Sequence, residues 1–502
     1  MIELEMGRLK IRSMRTRLFV SIAIVLSMLP VFAAEKPNIL FIVADDLSAE
    51  ALRVYGNPVV ETPNIDRLAR EGVTFERAYC QYPVCGASRA SFMSGLYPET
   101  TGFLGNNYTL GSYRALSPAH SEHPSIGGLL RRNGYVSARV SKIYHMGVPG
   151  GIEAGEPGGD DPDSWDLAFN VWAPETGSVG EFRNLSPARS HWGSAFVKIA
   201  VPDDLSATQA DEMTATQAIS ILETRTLHRN ETNRMKPGAP LFLGIGLVRP
   251  HVPLVAPKKY MDLYDPSTTE LPWYPEDDFD DVPKANQNKA NATQYKMSEA
   301  QAKESLAAYY ASVTYMDAQV GRILDAVDRL GITENTHIVF ISDHGWLLGE
   351  HGSWQKPSLF EPACRVPLII RSPGYEKSAG KKVMALTEFV DLYPTFAELA
   401  GLGDEVPEAV QGRSLVPLLN DPTGQRWQSK PAYSVMGSKR SVQRSIRTER
   451  YRYSRYTTGE EELYDHDNDP EEFTNQAGNP EYASTLLSLR TKMDEIKARA
   501  NP

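Results

Sequence analysis

The sequence predicts an α/β fold in which helices cover both faces of a large, mainly parallel β-sheet. Three observations lead to this prediction: near-continuous apolar runs of strand length, helical patterns between those runs, and charged residues placed close after several of them. A run that is apolar at almost every position is typical of a strand buried on both faces. Strands that alternate with helices favour crossover connections between parallel neighbours. A chain of 502 residues exceeds one ordinary domain, so a second, smaller unit is expected.

The strands and helices follow from the apolar patterns. The first strand is predicted over residues 38–44, where Asn38 is followed only by apolar residues, and the others over 73–75, 135–140, 241–247, 337–341 and 367–370. Two helical patterns are the clearest: residues 64–71 and residues 304–330. Each is bounded by the expected signals, because proline lies at the start of the first and glycine follows the end of both.

The last part of the chain has a different pattern and predicts a smaller α+β subdomain. Residues 426–456 are typical of short strands rich in tyrosine and arginine, and a final helix is predicted over 482–499. We therefore divide the chain into residues 1–34, 35–425 and 426–502. Two long irregular stretches, 146–163 and 262–294, are predicted to form part of the rim that selects the substrate, because loops of such length are usually functional or disordered.

Residues 1–34 have the features of a cleaved export signal. A basic segment that ends at Arg17 precedes an apolar run over 18–29, and the small pair Ala33-Ala34 follows. The prediction is an exported protein, periplasmic or secreted, with no stable membrane span after cleavage. A permanent membrane anchor is the alternative, although the apolar run is shorter than the roughly 20 residues that a comfortable span needs.

Charge and cysteine content exclude two classes of protein. The formal net charge of −11 argues against nucleic acid as a partner, since phosphate binding needs a broad basic surface. An anionic substrate would therefore have to be attracted by a local cluster of cations. The three cysteines, Cys80, Cys85 and Cys364, do not make a disulfide framework. If Cys85 has a chemical role, Cys80 and Cys364 either pair or remain as two buried thiols.

Cys85 is the candidate nucleophile. It is followed by Gly86-Ala87-Ser88-Arg89 and by an apolar, helix-compatible run that ends in Ser94-Gly95. A cysteine at the start of a helix lies where unpaired backbone N–H groups favour an anionic ligand, and Arg89 adds a positive charge beside it. The alternative is a buried free cysteine, which is the commoner case for an isolated cysteine. Candidate partners in other segments favour the catalytic interpretation.

Two acidic segments predict a metal site. Asp45-Asp46 follows the first predicted strand directly, and Asp343-His344 comes close after the strand at 337–341. The carboxyl ends of parallel strands meet at one edge of a sheet, so these side chains are expected to lie together. Oxygen-rich ligands favour a hard cation, Ca²⁺ or Mg²⁺. Each segment alone is weak evidence, since an aspartate after a strand is most often a turn or cap residue, but together they predict a divalent site.

A third group of strand-end residues supplies positive charge and proton carriers. Lys142 and His145 follow the strand at 135–140, and His251 follows the strand at 241–247 within the segment Arg-Pro-His-Val-Pro. Lys356 lies shortly after the second acidic segment. A lone lysine is usually only a solvated charge and a lone histidine is usually structural. Their placement at or shortly after strand ends, like that of the acidic residues, favours a shared site.

These segments together resemble the signature of the type I sulfatases, which belong to the alkaline phosphatase superfamily. In that family the cysteine of the pattern Cys-x-(Pro/Ala)-Ser-Arg is oxidised to formylglycine, and residues 85–89 match the pattern. The resemblance continues at residues 62–66, 315–322, 390–395 and 463–470, so it covers most of the chain. It implies an alkaline-phosphatase-like fold, one metal ion, Ca²⁺ rather than Mg²⁺, and the ligands Asp45, Asp46, Asp343, His344 and the formylglycine made from Cys85.

The resemblance also implies the reaction. The metal, Arg89, Lys142 and Lys356 would neutralise a sulfate ester, and the hydrated formylglycine would supply the attacking hydroxyl, with Asp343 taking its proton. His251 or Lys356 would protonate the leaving alcohol, and a base such as His145 would help to expel sulfate and restore the aldehyde. Maturation would require a formylglycine-generating enzyme as a partner.

The sequence departs from the common family pattern at two positions. His344 replaces the asparagine of many members and is similar to the iduronate-2-sulfatase branch, which implies a sulfated uronic acid or another sulfated sugar of a polysaccharide, such as a glycosaminoglycan, as substrate. Ser141 stands where a glycine usually precedes the first lysine. Two other classes remain open: a phosphodiesterase or phosphonate monoester hydrolase of the same superfamily, and a glycan-binding protein without turnover.

Overall fold

In the computed structural model, eight strands form one mixed sheet that is mainly parallel. The structure describes residues 36–106, 114, 121–188, 192–227, 239–287 and 295–500. The strands of this sheet, in chain order, are β1 Asn38–Asp45, β2 Val73–Phe75, β3 Val136–Ser141, β4 Leu167–Phe169, β5 Leu241–Pro250, β6 Thr336–Ser342, β7 Leu368–Arg371 and β8 Lys381–Val383. Across the sheet their order is β8-β2-β7-β6-β1-β5-β3-β4.

The six predicted strands are confirmed, with ends that differ by a few residues. The two edge strands β4 and β8 were not predicted, because each has only three residues and these are mostly not buried, so neither forms a clear apolar run. β1 lies at the centre and pairs in parallel with β5 and β6, and β3 is parallel to β5. Only β7 runs antiparallel to its neighbours β6 and β2. The carboxyl ends of β1, β3, β5 and β6 therefore meet at one edge.

Helices cover both faces of the sheet, as predicted. The longer ones are α1 Pro63–Glu71, α2 Cys85–Ser94, α3 Ile126–Arg132, α4 Ala210–Leu227, α5 Glu299–Arg329, α6 Leu392–Leu399 and α7 Ala483–Ala500. Short helices are Pro98–Thr101, Gly150–Ala154, Lys258–Met261, Glu361–Cys364 and Val416–Asn420.

Two apolar cores hold these layers together. Along β1, Leu40 and Ile42 pack into the core that includes α1, α4 and α5, whereas Ile39, Phe41 and Val43 pack into the core that includes α2, α3, α6 and α7. This alternation explains why the run at 38–44 is apolar throughout: both faces of the strand are buried.

The short strands predicted in the C-terminal part are confirmed, and they form a four-stranded antiparallel sheet. Its strands are Ala432–Ser438, Ser441–Arg447, Tyr451–Arg455 and Glu461–Asp465. Tyr433 and Ile446 of this sheet share a core with Phe389 and Phe396, so the subdomain packs directly on the main unit. The boundary near residue 425 stays a prediction.

Smaller sheets surround the main one. Arg365–Val366, Ala78–Tyr79 and Thr387–Glu388 form one; Glu181–Asn184, Val197–Val201 and Leu254–Pro257 form another; and Leu347–Leu348 pairs with Trp354–Gln355. The irregular stretch at 146–163 contains one short helix, and its role at a substrate rim stays a prediction, as does that of 262–294, of which residues 288–294 lie outside the described part. Cys80 and Cys364 are two buried free thiols.

The predicted export signal, residues 1–34, lies outside the described residues. Among the helices that the structure describes, none is both long and apolar enough to cross a membrane.

Candidate active site

Cys85 is the first residue of α2, a helix whose ten residues are all buried. The chain enters the helix from an extended Val84 and leaves it at Gly95, which has a φ of 70°. Gly86 has no room for a side chain, since a Cβ there would lie 2.6 Å from the carbonyl oxygen of Gly105. Its N–H instead donates to Asn106 Oδ1 at 2.8 Å. The candidate nucleophile is therefore held at the N-terminus of a fully buried helix.

The two acidic segments meet beside Cys85. Asp45 and Asp46 at the end of β1 and Asp343 just after β6 are fully buried, and each offers a carboxylate oxygen within 4.8 Å of the others. The Asp46 N–H donates to Asp343 Oδ1 at 3.1 Å, and the hydroxyl of Tyr309 donates to the Asp46 carbonyl oxygen at 2.6 Å. These contacts lock the adjacent strand ends to each other.

His344 completes this cluster. Its Nδ1 lies 2.9 Å from the carbonyl oxygen of Gly345, so Nδ1 carries the proton and Nε2 has a free lone pair. Nε2 lies 3.2 Å from Asp46 Oδ1, 3.6 Å from Asp343 Oδ1 and 3.3 Å from Cys85 Sγ. Burial lowers the pKa of His344 to about 4, which keeps the ring neutral at pH 7. A lone pair directed at two carboxylates is unfavourable unless a cation lies between them.

The donor set fits a divalent cation. Asp46 Oδ2 is buried and accepts no hydrogen bond from the described residues, a costly state for a carboxylate oxygen without a cation. In the metal-free site, burial raises the pKa of Asp46 to about 7 despite the opposing effect of Lys356, and Asp45 and Asp343 raise it further. Three carboxylates and one imidazole make an oxygen-rich set of the kind that suits Ca²⁺ or Mg²⁺.

Arg89 holds two of the carboxylates in place. Its side chain is fully buried one turn after Cys85, with Nε donating to Asp343 Oδ2 at 2.9 Å and Nη2 to Asp45 Oδ1 at 3.1 Å. Nη1 donates to the carbonyl oxygens of Lys142 and Ile143. All its nitrogen atoms are thus directed at protein groups, and the guanidinium ties α2 to the ends of β1, β3 and β6.

Two lysines add fixed positive charges. Lys142 Nζ contacts Asp45 Oδ2 at 2.5 Å, and Lys356 Nζ contacts Asp46 Oδ1 at 2.6 Å and Cys85 Sγ at 3.2 Å. Burial alone would lower the pKa of Lys356, but Asp46 and the other acidic groups raise it above its usual range. Burial would likewise raise the pKa of Asp45, yet Lys142 and the other cations hold it well below its usual range. Lys356 and Asp45 are therefore both charged at neutral pH.

His251 faces the same carboxylate from the end of β5. Its Nε2 lies 3.5 Å from Asp46 Oδ2, and its Nδ1 lies 2.6 Å from the carbonyl oxygen of Val252. Burial, reinforced by Lys356, lowers the pKa of His251 well below its usual range. His145, three residues after Lys142, is also buried, and burial together with Lys142 lowers its pKa. Both rings are neutral in the free site and can accept a proton.

The thiol of Cys85 is not a thiolate in this setting. Burial raises the pKa of Cys85 well above its usual range, and Asp45 and Asp343 act in the same direction against the opposing effect of Lys356. A neutral buried thiol is a poor nucleophile. The arrangement therefore gives the unmodified cysteine little reactivity of its own.

The charges of the cluster set what it can bind. Three carboxylates and the three cations Arg89, Lys142 and Lys356 cancel, while the histidines are neutral. A divalent cation that holds Asp46 in its ionised form would leave the site with two positive charges in a water-poor setting. Such a site attracts an anionic group at the position of residue 85.

Several supporting residues were not identified from the sequence. Ser88 donates its hydroxyl to the carbonyl oxygen of Asp343, and Ser342 accepts from the Leu47 N–H at 2.9 Å. Arg249 donates to the carbonyl oxygens of His251 and Pro253 and pairs with buried Glu175. The only available signal for Arg249 was its position beside the predicted histidine. Glu175 lies 74 positions away and carried none.

Known family models and proteins match most of this chain. A family model described as Sulfatase matches residues 37–402, and one described as N-sulphoglucosamine sulphohydrolase, C-terminal, matches residues 349–499. A protein named Sulfatase from Formosa agariphila is 32% identical over 478 residues, covering 92% of this chain and 87% of that protein. Iduronate 2-sulfatase of Mus musculus is 33% identical over 415 residues, covering 74% and 70%.

A solved structure supports the fold. The phosphonate monoester hydrolase of Agrobacterium radiobacter superposes with a TM-score of 0.73 at 23% identity, covering 92% of this chain and 96% of that one. The predicted alkaline-phosphatase-like architecture, with a large mostly parallel sheet and a C-terminal antiparallel sheet, is confirmed.

Proposed function

This chain belongs to the sulfatase family of sulfate ester hydrolases, and we propose that it removes sulfate from a sulfated sugar by means of a formylglycine at residue 85 and one divalent cation. The observation that carries the proposal is the buried cluster in which Cys85 lies 3.2 Å from Lys356 and 3.3 Å from His344. Direct contacts within this cluster are made by Asp45, Asp46, Arg89, Lys142, His251, Asp343, His344 and Lys356.

A formylglycine at residue 85 would give this site a reactive nucleophile, which an unmodified cysteine does not. The thiol is neutral and buried beside carboxylates, so it is a weak nucleophile. A formylglycine at this position, once hydrated, supplies a hydroxyl for attack at sulfur and a second hydroxyl whose deprotonation expels sulfate. Conversion of Cys85 would need a formylglycine-generating enzyme, which we propose as the partner in maturation.

The metal would be held by Asp45, Asp46, Asp343 and His344, together with the modified residue 85. A bound divalent cation supplies positive charge that polarises the sulfate group and lowers the pKa of the nucleophile. The oxygen-rich donor set suits Ca²⁺ or Mg²⁺, and we propose Ca²⁺ because the sequence resemblance implies that ion. Treatment with a chelator is expected to abolish sulfate release, and added Ca²⁺ to restore it better than Mg²⁺. Equal activity of the chelated protein would contradict the proposal.

The other residues divide the remaining tasks by charge and contact. Arg89 positions Asp45 and Asp343, since its nitrogen atoms are already engaged by protein groups. Lys142 and Lys356 act as fixed cations toward the sulfate oxygens. His251 and His145 are neutral, so each can take up a proton at a ring nitrogen. Such a histidine can accept a proton from the hydrate, and once protonated it can donate a proton to the leaving oxygen.

The substrate class is proposed from the relatives and from the charge of the site. The relative named Iduronate 2-sulfatase matches over 74% of this chain, and His344 in the second acidic segment resembles the branch of that name. A 2-sulfated uronic acid within a glycosaminoglycan or similar polysaccharide fragment is therefore the first substrate to test. We also propose export after removal of residues 1–34; the amino-terminal sequence of protein recovered outside the cytoplasm would test this.

The central experiment is mass spectrometry of the peptide that contains residue 85, from protein made together with a formylglycine-generating enzyme. An aldehyde mass is expected, with sulfate release that is lost in Cys85→Ala. Cys364→Ala, which removes a buried thiol outside the site, serves as the matched control and is expected to keep the activity. An intact thiol with undiminished activity, or a higher rate on an aryl phosphodiester than on an aryl sulfate, would contradict the proposal.

A further inference from the structure

A cavity of about 450 Å³ lies between the C-terminal sheet and the segment 102–106, which contacts the start of the nucleophile helix. One wall is the segment 102–106, and the other is the tip of the hairpin that joins Ala432–Ser438 to Ser441–Arg447. Ser438 pairs with Ser441, so Lys439 and Arg440 form the two-residue turn and both lie exposed at the mouth of the cavity. None of the described residues that line the cavity is acidic.

Both walls are hydrogen-bonded to the segment that carries the nucleophile. Asn106, at the end of the first wall, accepts the N–H of Gly86 at 2.8 Å. The hydroxyl of Tyr82, three residues before Cys85, donates to the carbonyl oxygen of Gly437 at 2.8 Å and accepts its N–H at 3.0 Å. Gly437 itself has a φ of 117°, and a Cβ there would lie 2.0 Å from Ser441 O, so the hairpin is shaped for this contact.

The positive charges of the hairpin tip are not paired with acidic groups of the described residues. Arg444, on the same hairpin, is engaged by Glu99 at 2.6 Å, whereas Lys439 and Arg440 form no ion pair with any residue that the structure describes. They present two positive charges on a protein whose formal net charge is −11. A negatively charged polymer would be repelled by most of this surface and attracted to this mouth.

From these observations we infer that Lys439 and Arg440 bind a second anionic group of the substrate, a carboxylate or a further sulfate on the sugar whose ester is cleaved at residue 85 or on its neighbour. This inference rests on the proposed function and adds a selectivity to it. A sugar with a single charge would engage only the metal-side cluster, and one with a second anion would also engage the hairpin.

The test compares three saccharides that carry the same scissile sulfate. One contains the uronic acid carboxylate, one is its carboxyl-reduced form, and one is the reduced form with an added second sulfate. At low ionic strength the wild-type kcat/KM is expected to be about tenfold higher for at least one of the dianionic saccharides than for the reduced one, the size expected for a hydrogen bond to a charged group. Which of the two is preferred identifies the anion.

In the variant K439A/R440A, the ratio of kcat/KM for the preferred dianionic saccharide to kcat/KM for the reduced saccharide is expected to fall close to one. The variant K439R/R440K is expected to keep the wild-type ratio. The matched control is K377A/K381A, which removes two exposed lysines near the opposite edge of the main sheet, where β7 ends and β8 begins; it should keep the wild-type preference. A wild type without preference, or a K439A/R440A variant that keeps it or loses rate equally on all three saccharides, would overturn the inference. Failure of the matured wild type on every saccharide and on an aryl sulfate would instead overturn the proposed function, and this inference with it.

Discussion

Asp46 within the site and two residues that directly precede its lysines adopt a left-handed backbone conformation that only glycine takes up freely. Asp46 has a φ of 63°, Ser141 a φ of 60° and Gln355 a φ of 72°. Ser141 directly precedes Lys142, and Gln355 directly precedes Lys356. Backbone conformations of this kind cost on the order of 1–3 kcal/mol each and cluster at functional sites. Here each one turns the chain sharply where a strand ends and directs a charged side chain at the carboxylate cluster.

The energetic cost of a left-handed backbone conformation can be measured at Ser141. Its hydroxyl is buried and has no hydrogen-bond partner among the described residues. Ser141→Gly would relieve the left-handed strain and remove the unpaired hydroxyl, against up to about 1 kcal/mol of extra chain entropy in the unfolded state. We expect the variant to be more stable by about 1 kcal/mol in urea-induced unfolding.

The control for this prediction lies on the same strand. Ser137 is also buried, but it sits in a regular strand and its hydroxyl donates to the Ser164 carbonyl oxygen at 2.6 Å. Ser137→Gly should therefore lower the free energy of unfolding by about 1–2 kcal/mol. If both serine-to-glycine variants lose stability equally, the strain at Ser141 is not significant.

The sequence predicted the residues of the site better than their contacts. Motif spacing and strand-end placement led to Cys85, Asp45, Asp46, Asp343 and His344, and the structure brings all of them together. Arg89 was expected to act on the sulfate. Spacing along a chain, however, cannot predict that its guanidinium is hydrogen-bonded to carboxylates at the end of β1 and just after β6. Such contacts join residues more than 40 positions apart and depend on the register of the sheet.

At the scale of elements, the end of β5 is braced by a buried ion pair. Arg249 donates to the carbonyl oxygens of His251 at 2.7 Å and Pro253 at 2.5 Å, and its guanidinium also pairs with buried Glu175. The N–H groups of Val248 and Arg249 donate to the carboxylate of Asp211 at 2.7 Å and 3.1 Å. The turn that presents His251 to Asp46 is thus fixed from both sides. Arg249 acts on the reaction only through this turn.

This role can be separated from plain stability. Arg249→Met leaves Glu175 buried without a partner and should cost about 3–5 kcal/mol of unfolding free energy. Adding Glu175→Met removes the lone charge and should recover most of that loss. Because the brace on His251 is still missing, we expect kcat of the double variant to stay about tenfold or more below wild type, with a smaller change in KM. Urea unfolding and steady-state kinetics on the same preparations measure both effects.

Two outcomes of that experiment are informative. Arg249→Lys keeps the charge but can reach fewer of the carbonyl oxygens, so its kcat should lie between those of the wild type and the double variant. If the double variant regains kcat together with stability, the turn at His251 does not need the brace.

The apolar pattern predicted which elements form but not every direction they run. The runs at 38–44, 241–247 and 337–341 are parallel neighbours, as a sequence of buried runs separated by helices indicates. The run at 367–370 has the same character, yet β7 is antiparallel to β6. Burial on both faces gives the same pattern in either direction, and the connection over residues 343–367 is long enough for a parallel crossover, so neither feature could indicate the reversal.

At the scale of the whole molecule, Glu388 joins the C-terminal sheet to the catalytic unit. One of its carboxyl oxygens accepts the N–H of Tyr433 at 2.9 Å and a side-chain N–H of Gln81 at 3.3 Å, and the other interacts with the hydroxyl of Tyr97 at 2.9 Å. Tyr433 belongs to the first strand of the C-terminal sheet, and Gln81 and Tyr97 flank the nucleophile helix. Burial, with help from Asp391, raises the pKa of Glu388 to about 8. The contact between the two parts is therefore made by a carboxyl group that is protonated at neutral pH.

This raised pKa predicts a pH dependence of stability with a definite sign. The folded state binds the proton of Glu388 up to about pH 8, whereas the unfolded chain releases it near its ordinary value of 4.5. The stabilisation is fully present below pH 4.5 and is lost as the pH rises toward 8, at no more than about 1.4 kcal/mol per pH unit. The free energy of unfolding should fall accordingly between pH 6 and pH 8.

Glu388→Gln reproduces the shape of the protonated acid without its titration, so its unfolding free energy should fall less steeply over the same range and exceed that of the wild type at pH 8.5. Other buried acids also titrate there, among them Glu350 and Glu462, whose pKa values burial raises to about 8 and about 7; the comparison therefore rests on the difference in slope between variant and wild type. Glu376→Gln, at an exposed carboxyl whose pKa hydrogen bonds from the Gly374 and Glu376 N–H groups lower, is the control and should leave the slope unchanged. Parallel pH profiles for Glu388→Gln and wild type would mean that Glu388 is already ionised at neutral pH, and the junction between the two sheets would then have to be held by a buried negative charge.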